Sequence, residues 1–121
     1  MSRELVSRIF DEFHAENVDD LGLRCVLPIG ESGRTQVVLV VFTGTGFWIT
    51  SPFASVEEMP PKVAFKIGND SPYGIAEAEG MYHVKHFVFF EEVDERITLL
   101  HGYAVAMWAD KLEEYSGKDI Y

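Results

Sequence analysis

Cysteine is almost missing from this chain of 121 residues, which has only Cys25. A lone cysteine closes no intramolecular disulfide, so a fold stapled like a small secreted domain is excluded. Basic residues are scarce as well: ten Lys and Arg stand against twenty Asp and Glu, for a net charge of −10. The ten are spread thinly, whereas nucleic acid and anionic membranes both need clustered cations. Neither is therefore expected as a partner. Long apolar runs are lacking too. The run Val37 to Phe42, like every other, falls far short of the ~20 residues that span a bilayer. The opening Met1-Ser2-Arg3-Glu4 meets charge at once and lacks the apolar core of a signal peptide, so the expected location is cytoplasmic. With no linker, repeat or low-complexity stretch, residues 1–121 read as a single domain.

What is present is an even series of short elements. Leu5, Val6, Ile9, Phe10 and Phe13 recur at spacings of three and four, which predicts a helix capped by Ser2 and running to about Asn17. Leu21 to Leu27 alternates, with Leu21, Leu23, Cys25 and Leu27 on one face. Gln36 to Thr43 is the strongest strand, β-branched or otherwise apolar throughout its middle. Thr43-Gly44-Thr45-Gly46 is a tight connection to a third strand, Phe47 to Thr50, which Ser51-Pro52 stops. Ser55 offers a cap to a weaker helix, broken at Pro60-Pro61 and continuing from about Pro61 to Ile67. Ile75 to Ala78 and Met81 to Phe90 are two more strands, joined by a Glu79-Gly80 turn. Asp94 caps a long helix to about Tyr115, ended by Gly117, with an apolar stripe of Ile97, Leu100, Tyr103, Ala104, Met107, Trp108 and Leu112. The order is α-β-β-β-α-β-β-α. It predicts an α+β fold with a five-stranded, mostly antiparallel sheet and helices packed on it.

No catalytic or metal-binding constellation emerges. His83 and His86 are three apart, but on a strand that spacing points them to opposite faces. His101 has no ligand partner at i+3 or i+4. Cys25 sits among apolar neighbours, a setting for a buried structural thiol and not for a nucleophile. Gly44-Thr45-Gly46 leads into another strand, whereas a nucleotide fingerprint leads into a helix. The run Glu91, Glu92, Asp94 and Glu95 immediately precedes a helix, where acids are stabilising in their own right. No catalytic residue, metal or cofactor is assigned, and the chain reads as a non-enzyme.

The sheet carries more information. Val37, Leu39 and Val41 oppose Val38, Val40 and Phe42, and Phe47 and Ile49 oppose Trp48, so both faces are apolar. An antiparallel sheet with one wet face alternates; this one does not, so both faces are expected to be covered. Three helices fall short of that, which leaves surface for a second copy of the chain or a bound polypeptide.

Asn69-Asp70-Ser71-Pro72-Tyr73-Gly74, Tyr82-His83-Val84-Lys85-His86 and Ala109-Asp110-Lys111-Leu112-Glu113, with the element order, give the chain a family resemblance. It resembles the class I type III secretion chaperones and, in these strings, the YbjN-like sensory transduction regulators. The order of elements carries the resemblance over nearly the whole chain, while Pro60-Pro61 departs from a smooth middle helix. The resemblance implies a homodimeric, non-enzymatic, chaperone-like domain. Such a domain binds an extended client polypeptide through apolar pockets and strand edges.

On this reading Val38, Val40, Phe42, Trp48, Phe87 and Phe89 are the expected partner or dimer contacts. Two other readings stand beside it. One is a small-ligand sensor or enzyme with a pocket between the sheet and the last helix, lined by His83, His86 or Tyr103. The other is a structural subunit of a larger assembly.

Overall fold

The structure, a computed structural model, describes residues 2–18, 22–31 and 33–116. The expected cap at Ser2, the start of a strand at Leu21 and the helix stop at Gly117 concern groups outside the described portion. The described residues form α1 (Ser2–Phe10), β1 (Glu16–Val18), β2 (Gly22–Pro28), β3 (Thr35–Phe42), β4 (Gly46–Ser55), α2 (Pro61–Gly68), β5 (Gly74–Ala78), β6 (Met81–Phe89) and α3 (Glu95–Ser116). The strands make one sheet in the order β1-β2-β3-β4-β6-β5, every pair antiparallel. The α+β class is as expected, with six strands in place of five.

The extra strand comes from the shortness of α1. That helix stops at Phe10, and Asp11–Phe13 tighten into a 310 turn. His14, at φ 55°, donates its backbone N–H to Asp11 O and turns the chain out into β1. A spacing of three, Phe10 to Phe13, suits three residues per turn as well as 3.6, so the apolar pattern hides where the helix ends.

β4 runs on through Pro52 to Ser55, past the stop expected at Ser51-Pro52. The β3–β4 register, extended from Leu39↔Thr50, sets Val37 opposite Pro52. Thr43 and Gly46 form a hydrogen-bonded pair, so every second pair after it, Val37 and Pro52 included, should exchange backbone bonds. Proline has no N–H to give. Ser51 Oγ donates to Val37 O at 2.5 Å in its place, and Gln36 Nε2 donates to Pro52 O at 2.5 Å. Both side chains are buried. A bulge at Phe53 follows, after which Ala54 pairs with Tyr82.

The other boundaries follow local chemistry. Glu79 and Gly80, at φ 53° and 80°, make the two-residue turn between β5 and β6. Ser55 and Glu58 cap each other's backbone N–H across a single turn. α2 itself begins only at Pro61, after an extended Pro60. Ile97 N–H donates to Asp94 Oδ1 at 3.0 Å, the cap expected for α3.

All three helices lie on one face of the sheet. Phe10 of α1 meets Phe47, Gly68 of α2 abuts Ile75, and Met59 O accepts from the Tyr82 hydroxyl. The core lies between: Leu23, Cys25, Leu27, Val38, Val40, Phe47, Ile49, Tyr82 and Val84 from the strands, with Val6, Phe10, Val105, Ala109 and Leu112 from the helices. At the C-terminal half of α3, Arg34 of the β2–β3 loop grips the buried Asp110 with both forks, at 3.1 and 2.7 Å, and also reaches Glu114.

α3 is turned the other way from its expected stripe. Of those seven residues only Leu112 is buried, while Ile97, Leu100 and Met107 are exposed. The buried line is Thr98, Gly102, Val105, Ala106, Ala109 and Leu112. These mostly small residues let α3 come close to the sheet and to Phe10 and Phe13, which crowd Gly102. Small residues carry little hydropathy, so the larger outward stripe dominates the pattern.

The Ser51 bond to Val37 can be tested. Ser51→Ala leaves a buried carbonyl without a donor and should cost about 1–3 kcal/mol in urea unfolding. Adding Pro52→Ala returns an N–H at that point and should recover part of the loss. Additive effects in the double variant would rule out the exchange.

Candidate functional site

Period two decides what the second face of the sheet presents. With Phe47 and Ile49 turned to the helices, Trp48 and Thr50 turn away. The register then lines Trp48 up with Val41 of β3 and Phe87 of β6, and Arg24 with Leu39. The face carries Val26, Leu39, Val41, Trp48, Phe87 and Phe89, with His83 and Lys85 beside them. No helix covers it among the described residues. Val26, Val41 and Phe89 are exposed, and Trp48 and Phe87 are half-buried against each other.

The aromatic groups form a connected ladder. Trp48 meets Phe87 edge-on at 4.8 Å, and Phe87 meets Phe89 at 4.9 Å. Gly46, cross-strand from Phe89, makes room for the Phe87 ring: a Cβ there would sit 2.8 Å from that ring and 2.2 Å from Val88 O. Lys85 Nζ rests 3.8 Å from the centroid of the Trp48 ring, so its stem covers apolar surface while its charge meets the π face. A shallow hollow of about 300 Å³ runs beside them, between Trp48, Leu39, Ala76 and His83.

The six residues expected at a partner surface divide between the two faces. Trp48, Phe87 and Phe89 stand on the open face. Val38 and Val40 are fully buried beneath the helices and offer nothing to a partner. Phe42, on the same side as those two valines, packs at the core margin with Arg3 stacked over its ring at 4.8 Å. An all-apolar run gives no sign of which face the helices take, and that is why these three were grouped with the rest. Leu39 and Val41 belong to the open face and were missed, although counting by twos from Trp48 across the hairpin reaches them. The helices crowd onto one face and, among the described residues, leave the other without helical cover, the shortfall expected of three helices.

The histidines also part company. His83 faces the open side, and burial is the main cause lowering its pKa, with Lys85 adding to it. His86 turns under α3, where its ring lies 4.2 Å from that of His101. The Tyr73 hydroxyl hydrogen-bonds His101 Nδ1 at 2.8 Å. Tyr73 comes from the loop before β5, and nothing in the strand and helix patterns marks it as a partner. Tyr103 is elsewhere again, beside Leu99 and Leu100 on the outward side of α3. So His83, His86 and Tyr103 do not share a pocket. Burial pushes the Cys25 thiol up to about 11, which keeps it a thiol at neutral pH. No group of three or more His, Cys, Asp or Glu side chains able to hold a metal occurs among the described residues. No described helix is long and apolar enough to cross a membrane.

Comparison with known proteins finds no matching family model, curated protein or solved structure.

The histidines imply a pH dependence of stability. Burial, and then the neighbouring His101, lower the pKa of His86 from its ordinary 6.5. Below 6.5 the unfolded chain takes up a proton that the native His86 refuses, so stability present above that value falls as pH drops toward the native pKa. Urea midpoints should decline from about pH 7.5 to about 5.5, and His86→Gln should flatten part of that decline. An unchanged slope in the variant would contradict it.

Proposed function

We propose that this chain is a non-enzymatic, chaperone-like regulatory domain of the cytoplasm that acts as a homodimer and binds an extended client polypeptide. Binding takes place on the open face of the sheet. The observation that carries the reading is the ladder of Trp48, Phe87 and Phe89 with Val41 and Leu39 on a face that no described helix covers. Rigid aromatic groups with half-exposed surfaces gain much by burial and lose little side-chain entropy in doing so. An extended segment lying across the strands sets alternate apolar side chains over Trp48 and into the hollow beside it. Lys85, already poised over the Trp48 ring, offers a charge to a carboxylate or carbonyl of the client. The three strings that resemble the YbjN-like and secretion-chaperone families favour the same reading. No cofactor, nucleic acid or membrane enters it.

The test is crosslinked capture of the tagged protein from its own cells. The wild type should recover one or a few dominant polypeptides. Trp48→Ala and Phe87→Ala should each lower that recovery roughly tenfold, equivalent to about 1.4 kcal/mol. In unfolding, Trp48→Ala should cost about 1 kcal/mol, and Ile49→Ala, from the core face, about 2–5 kcal/mol. Capture of only the protein's own copies, or recovery unchanged by both open-face variants, would reject the proposal.

A further inference from the structure

The outward side of α3 is apolar where solvent should make it polar. Ile97, Leu100 and Met107 are 52%, 62% and 46% exposed, and Ala104 lies between them. From Ile97 the steps along the helix are three, four, three and then four to Lys111. That 3.5-residue repeat is the seam by which one helix receives another. It is separate from the line of Thr98, Gly102, Val105, Ala109 and Leu112 that meets the sheet. The occupant the seam fits is therefore a helix with the same repeat.

We propose that α3 of a second copy fills this seam, running antiparallel across a two-fold axis that passes between Leu100 and Ala104, at the level of Gly102 along the helix. The inference deepens the homodimer of the proposed function and rests on that part of it alone. In this register Ile97 meets Met107 of the partner and Leu100 meets Ala104, so four apolar layers close without a gap. Self-complementarity of this kind is what a two-fold interface requires. Ala104 is small enough to let Leu100 of the facing helix come close.

Charge selects the direction. Paired in parallel, the helices would set Lys111 against Lys111. Antiparallel, Lys111 falls beside Asp94 and Glu95 at the start of the partner helix, and the helix dipoles oppose. In the lone chain Lys111 Nζ rests 4.6 Å from the Trp108 ring, on the flank of the seam. Four side chains from each copy cover less than the roughly 1,600 Å² of a standard interface, so the pair is weak and forms with rising concentration.

Sedimentation equilibrium over a range of concentrations gives the test. The wild type should pass from monomer to dimer. Leu100→Glu with Met107→Glu should weaken that association by roughly tenfold or more, and the circular dichroism melt should stay intact because both side chains face outward. Direction is read by disulfide trapping with Leu100→Cys and Ala104→Cys proteins, the native Cys25 being buried. A mixture should form the Leu100→Cys to Ala104→Cys bridge faster than either protein bridges to itself. A wild type that stays monomeric, a dimer indifferent to the two glutamates, or a predominant Leu100→Cys self-bridge would each overturn the pairing. Client capture by a protein that stays monomeric would overturn the pairing and leave the sheet-face reading intact. Loss of client dependence on Trp48 in an intact dimer would do the reverse.

Discussion

The ring of Phe47 is the point on which the rest of the structure depends. It meets Phe10 of α1 at 6.5 Å, Phe42 of β3 at 6.4 Å and Phe90 just after β6 at 6.1 Å. With Phe10 and Phe90 it thus ties together segments that are remote in sequence and whose association is costly in chain entropy. Its inward direction also fixes the outward one. With Phe47 in the core, the alternation of β4 leaves Trp48 no choice but the far face, and the ladder register then lines Phe87 up beside it. Core and candidate binding face are two results of the same pleat.

Much of the fold was legible because local chemistry specified it. Asp94 at the start of α3, Pro61 at the start of α2 and Glu79-Gly80 between β5 and β6 each do what their backbone requirements dictate. The misreadings have physical reasons too. Pro52 looked like a strand stop because proline withholds a donor. Here the Ser51 hydroxyl supplies the missing donor to Val37 O across the hairpin and Gln36 holds the Pro52 carbonyl, pairings that no local rule covers. α1 looked longer than it is because a 310 turn keeps the apolar spacing of a helix. The candidate site was legible only in part. The excess of apolar surface on β3, β4 and β6 was plain, and Trp48, Phe87 and Phe89 followed from it. Whether Val40 or Val41 is the inward residue depends on where the helices land, which is a tertiary outcome. In α3 the same ambiguity ran the other way, since Gly102, Ala106 and Ala109 hide the buried line behind the larger outward side chains.

The two apolar surfaces lie on opposite sides of the molecule, one on the far side of the sheet and the other on the back of the helix layer. A pair joined through α3 therefore turns both open sheet faces outward. In the proposed pair each copy would keep its own sheet face open, and one long client, or two copies of it, would engage both. Linked sites of this sort raise apparent affinity through local concentration without any new contact. The net charge of −10 on each copy opposes closer aggregation of such pairs.

The outer strands of the sheet have a consequence for growth. β1 is three residues long and β5 five. A strand that short leaves few free backbone groups in a row, and Glu16 on one margin and Glu77 on the other add charge. A sheet with an uncovered aromatic face would be at risk of stacking into fibres if its margins could also template further strands. Here the margins are too brief for that. The sheet stays finite in width, which would let the proposed binding face hold apolar chains without joining them in an amyloid-like array.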